Sequence, residues 1–88
     1  MSTEHKNQEQ QYQQELLEHL LAATTTDELA QKMGDLLTPS ELTEVCKRLQ
    51  IFKLLDAGLP QRQIAEQLGV GIATVTRGSR ARKQHSPL

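Results

Sequence analysis

The stretch QRQIAEQLGVGIATVTR, from Gln61 to Arg77, constrains this chain more than any other. Ile64 and Leu68 lie four apart, on one face of a first helix. Ala65 is small, as required where a second helix crosses closely. Gly69 follows four residues later, and glycine can take the left-handed conformation that ends a helix and turns the chain. Val70 and Val75 then fill a shared core, leaving Thr74, Thr76 and Arg77 on the outer side of the second helix. This is the pattern of a helix-turn-helix, in which the second helix enters the major groove of DNA and the first braces it. A helical hairpin that never meets DNA is the plainer alternative.

Charge supports the nucleic-acid reading, although the whole-chain total of −1 conceals it. Residues 1–60 carry ten acids against five Lys or Arg, a balance of −5. Residues 61–88 carry one acid, Glu66, against Arg62, Arg77, Arg80, Arg82 and Lys83, a balance of +4. Basic charge gathered around one reading helix suits a polyanion, because displaced phosphate counterions supply much of the affinity. Arginine forks onto phosphates and guanine edges. A merely solvated basic face would carry the same charge.

An 88-residue chain makes one small domain, and such domains often gain stability by oligomerising. Leu, Gln, Glu and Ala dominate and Trp is absent, which favours an all-α fold. The lone Cys46 has no disulfide partner and is expected to be a small buried filler in a reducing compartment. No apolar run suits a membrane span and no signal-peptide core opens the chain, so a cytoplasmic protein is expected. His5, His19 and His85 match no metal spacing with Cys46, and no metal site is assigned. No nucleophile constellation or paired carboxylates point to an enzyme.

Residues 1–10 are polar and aperiodic and read as a flexible arm. A first helix is expected from about Gln10 to Ala23, with Tyr12, Leu16, Leu17, Leu20 and Leu21 inward. Thr25 with Glu28 forms a capping box for a second, Asp27 to Leu36, with Leu29, Met33 and Leu36 inward. Thr38-Pro39-Ser40-Glu41 opens a third, running to about Ala57. Its stripe Leu42, Val45, Leu49 and Phe52, widened by Ile51, Leu54 and Leu55, exceeds what one small unit can cover and implies a partner subunit. Gly58 ends this helix and Pro60 opens the helix-turn-helix. Residues 11–80 thus form the helical domain, with the helix-turn-helix over 60–80 and a basic tail over 81–88.

LTPSE at Leu37–Glu41, KRLQI at Lys47–Ile51 and QRQIAEQLGVGIATVTRGS at Gln61–Ser79, with the distances between them, resemble the tryptophan repressor family over roughly residues 16 to 80. That family is itself a standard instance of helix-turn-helix docking and of water-mediated base contacts. The resemblance implies an intertwined all-helical homodimer on a palindromic operator of double-stranded DNA. DNA contacts would come from Gln61, Arg62, Ile72, Ala73, Thr74, Thr76 and Arg80. No prosthetic group is implied, but L-tryptophan or another indole compound would act as co-repressor. Its contacts would be Leu37, Thr38, Arg48, Arg77, Gly78 and Ala81, with the indole between Arg48 and Arg77 and the carboxylate on Arg77. Arg48 has a plainer reading too, as the helical partner of Glu44 four residues earlier.

This sequence departs from the family pattern in four places. Ala81 stands where the repressor has a serine near the ligand's ammonium group, which either weakens recognition of a zwitterion or favours an indole acid without an amine. The link from Gly58 to Gln61 is one residue shorter. The chain stops at Leu88, where the family usually adds a C-terminal helix that contributes to the dimer. Ala65 occupies a position where some members place a DNA-contacting lysine. The expectation is a dimeric transcriptional repressor switched by an indole ligand. A ligand-independent regulator on the same scaffold, or a helical protein-interaction module, remains the alternative.

Overall fold

The computed structural model describes the backbone of residues 2–85 and the side chains of residues 7–84. Five helices, α1 (Ser2–Leu21), α2 (Thr26–Leu36), α3 (Pro39–Asp56), α4 (Gln61–Leu68) and α5 (Ile72–His85), carry the fold, with no strand among the described residues. The chain divides into two units, Met1–Pro39 and Ser40–Leu88.

In the N-terminal unit, α1 begins at Ser2 rather than near Gln10, so most of the expected arm is helical. The segment after Ser2 contains no glycine or proline and is rich in Glu, Gln and Lys, which lose little side-chain freedom in a helix. Met1 lies outside the described residues. Helical hydrogen bonding persists past Leu21, with the Ala22 amide donating to the Glu18 carbonyl at 3.0 Å, so the expected end near Ala23 differs only by fraying. Thr25 caps α2 as expected, its hydroxyl accepting from the Glu28 amide at 3.1 Å. The return half of the box is displaced by one residue: Glu28 accepts from the Thr24 amide at 2.9 Å and the Thr24 hydroxyl at 3.2 Å. Those bonds, with Lys32 nearby, hold the Glu28 carboxyl below its ordinary pKa. Lys32 also donates to the His19 carbonyl at 2.5 Å, linking α2 to α1. Leu20 and Met33 are half-buried, but Tyr12, Leu16, Leu17, Leu21, Leu29 and Leu36 are exposed in the single chain.

The C-terminal unit is built around Ile51 of α3, Ile64 of α4 and Val75 of α5, which are 0–1% exposed. Leu54, Leu55, Leu59, Ala65, Leu68 and Val70 pack around them. The same device ends α3 and α4. Gly58 (φ 90°) and Gly69 (φ 66°) adopt the left-handed conformation. In each case the glycine amide and the next amide fold back onto the helix: Gly58 to Leu55 and Leu59 to Leu54, then Gly69 to Glu66 and Val70 to Ala65. This pairing satisfies the last carbonyls and swings Leu59 and Val70 onto the core.

Two expectations fail in this unit. Cys46 is exposed, not a buried filler, because α3 turns Ile51 to the core and leaves Val45, Cys46 and Leu49 on the surface. The basic tail is helical as far as His85, since Arg80–Gln84 holds no helix breaker and Arg82 pairs with Asp56 at the end of α3. The remaining tail residues, 86–88, lie outside the described ones.

Candidate functional site

The turn between α4 and α5 places two faces of α5 to different uses. Ile64 and Val75 lock the helices together, and the half-buried Thr76 and Gln61 add a polar tie. The Thr76 hydroxyl lies 2.9 Å from Gln61 Oε1 and 3.0 Å from the Ile72 carbonyl, and its single proton is shared between them. Thr76 is therefore not on the outer side of α5, as its place in the motif suggested. A β-branched residue one position after the buried Val75 faces the start of α4 instead. The remaining candidates for DNA contact, Arg62, Ile72, Ala73, Thr74 and Arg80, are all exposed. Ile72 is 51% exposed.

A cleft of about 430 Å³ opens beside this head, lined by Glu44, Arg48, Ile51 and Phe52 from α3 and by Thr74, Arg77, Gly78 and Ala81 from α5. Gly78 sets how closely its two walls approach. A Cβ at that position would lie 2.8 Å from Cγ2 of Ile51, so only glycine lets α5 come this close to α3. Four of the residues expected to meet a ligand, Arg48, Arg77, Gly78 and Ala81, are brought together here. Leu37 and Thr38 belong to the N-terminal unit, where the Leu37 amide caps α2 on the Met33 carbonyl and Thr38 is exposed ahead of α3.

Glu44, Ile51 and Phe52 were missed as cleft residues. The signal for Glu44 was its spacing to Arg48, and that pair does form, Arg48 Nη2 to Glu44 Oε2 at 3.6 Å. Ile51 and Phe52 were read only as part of an apolar stripe. Arg48 pairs with Glu44 and also lines the cleft. Among the described residues no cluster of three His, Cys, Asp or Glu could hold a metal ion, and no helix is long and apolar enough to cross a membrane.

A helix–turn–helix closed by a left-handed glycine, with an exposed second helix, defines the class. Within it, residues 9–88 match the family model described as Trp repressor protein. Proteins called Trp operon repressor homolog are similar to the chain: that of Vibrio cholerae is 39% identical over 83% of this chain and 72% of its own length. The Vibrio atlanticus protein is 35% identical over 83% of this chain and 76% of its own. The Aliivibrio fischeri protein is 50% identical over 58% of this chain, a match spanning about half (48%) of that relative's length. No solved structure matches. The chain belongs to the Trp repressor family, whose members are transcription regulators and not enzymes.

Proposed function

We propose that this protein is a cytoplasmic transcriptional repressor that binds a palindromic operator in double-stranded DNA as a homodimer, under the control of L-tryptophan or a related indole. The observation that carries the reading is the pairing of an exposed face of α5 with the cleft directly behind it. Arg62, Ile72, Ala73, Thr74 and Arg80 form the DNA face, while Gln61 and Thr76 brace it from within. Thr74 belongs to both sides, since it is exposed and also lines the cleft.

The mechanism is linkage. A ligand between α3 and α5 shifts the population of α5 orientations only by its differential affinity for them. Gly78 against Ile51 is the close contact about which such a shift would turn. An indole would lie between Arg48 and Arg77, with its carboxylate on Arg77.

Support for the homodimer is the apolar surface that a single chain leaves open: Leu16, Leu17 and Leu21 on α1, and Val45 and Leu49 on α3. Two copies would present two α5 helices, which is what two-fold symmetric DNA requires. Selection from random DNA, with and without L-tryptophan, tests the reading. The expected result is a two-fold symmetric site whose enrichment changes with the ligand. Return of no symmetric site under either condition would overturn it in favour of a protein-interaction module.

A further inference from the structure

We propose that Glu44 reads the amine of an amino-acid ligand in the cleft, while Arg77 holds the carboxylate; this rests on the ligand reading above. The cleft is built with both charges. Glu44 lines it together with Arg48 and Arg77, around an apolar wall of Ile51 and Phe52. Such a lining suits a flat apolar body carrying a zwitterionic head.

Glu44 is available for this task. Its contact with Arg48 is 3.6 Å long, beyond good hydrogen-bonding distance, and involves only Oε2. The two side chains are 67% and 52% exposed, and exposed pairs at this helical spacing contribute little, so the pair rearranges at small cost. A carboxylate offers about four lone-pair sites and an ammonium three donors. Glu44 can therefore keep Arg48 and accept from an amine together. Arg77 forms no ion pair among the described residues and is open to the ligand's carboxylate.

The position of Glu44 also answers the loss of a polar group at Ala81. Gly78 lies against Ile51, and four residues further on Arg82 reaches Asp56. The C-terminal parts of α3 and α5 thus fall on the same side of the crossing. Glu44 and Thr74 precede the crossing, whereas Ala81 follows it. On this assignment the ligand's head group lies towards Thr74 and away from Ala81. A deaminated acid supplies no donor to Glu44 and so forgoes that charge-assisted hydrogen bond.

Calorimetry of the full chain against L-tryptophan and indolepropionate, the same body without the amine, tests this in wild type and in Glu44→Gln. Wild type should prefer L-tryptophan by about tenfold or more, the scale of one hydrogen bond to a charged group. Glu44→Gln should remove most of that preference and leave indolepropionate within about twofold of its wild-type affinity, which also shows that the cleft is intact. An unchanged preference in the variant would overturn the role of Glu44 alone. Failure of wild type to bind either compound would remove the ligand reading, and the assignment with it.

Discussion

Apolar side chains at helical spacing fill both units, yet they end in different places. From Ser40 onward, Ile51, Ile64 and Val75 vanish from the surface and gather six partly buried neighbours. Before it, no described residue of the N-terminal unit is buried, and Leu21 is 84% exposed. Both regions obey the same amphipathic pattern, so periodicity states that a face must be covered but not by what. In the C-terminal unit the cover of Ile51, Ile64 and Val75 is local, because two glycine turns bring three helices of the same chain onto one point, while Val45 and Leu49 stay exposed. In the N-terminal unit the two helices leave Leu16, Leu17, Leu21, Leu29 and Leu36 exposed in the single chain.

The largest test of this contrast pairs a core truncation with a surface one. Ile64→Ala should cost about 2–5 kcal/mol in chemical denaturation, the usual range for emptying a fully packed aliphatic site. Leu17 is 59% exposed in the single chain, where its truncation should cost under about 0.5 kcal/mol. If a second copy covers α1, Leu17→Ala instead approaches the cost of the core change. Leu17→Glu should then convert a dimer into the 9.9 kDa chain in sedimentation. We expect the dimer and its loss. A chain that sediments as a stable folded monomer with Leu17 intact would break the comparison, leaving the exposed leucines as ordinary surface.

A second test sharpens the local half of the contrast. Gly78→Ala places a methyl 2.8 Å from Cγ2 of Ile51, a branch fixed close to the backbone and unable to swing away cheaply. The expected loss is about 1–3 kcal/mol, as for other overpacked sites. Ile51→Leu, which removes that branch, should recover part of it in a double-mutant cycle. Additive losses would mean that α5 simply moves off α3, and Gly78 would then set no distance.

Much of this was legible in the sequence where one residue type answers one local demand. Gly58 and Gly69 announced both turns, Thr25 announced a cap, and the spacing of Ile64, Leu68, Val70 and Val75 announced the core of the head. The helix extensions at either end were not legible, because polar segments without glycine or proline carry no periodicity to separate a solvated helix from an arm. Thr76 was misplaced because its position on α5 fits both a groove-facing and an inward side chain, and only the nearness of Gln61 decides. The cleft was half legible. Arg48, Arg77, Gly78 and Ala81 came from the family resemblance, whereas Glu44 and Phe52 enter only when α5 is laid beside α3.

The smallest expected effect belongs to the polar side of the contrast, where the N-terminal unit relies on caps in place of a buried core. Glu28 accepts from the Thr24 amide and then from its hydroxyl, and these bonds favour the charged carboxylate. Its folded pKa therefore lies below the ordinary value of 4.5. A depressed carboxylate contributes stability that is fully present above the unfolded value and is lost as pH falls through the folded one. Thermal melts of wild type taken downward from about pH 6 should thus lose stability below the ordinary value, in part through this group. Glu28→Gln keeps an acceptor oxygen but cannot titrate, so its melts should be lower at neutral pH and decline less steeply in acid. The group is fully exposed, so solvent screens the charge and the difference between the two curves should be small. Parallel curves for the two proteins across the acid range would show that the Thr24 contacts do not bias the proton, and that the cap acts through the Thr25 hydroxyl alone.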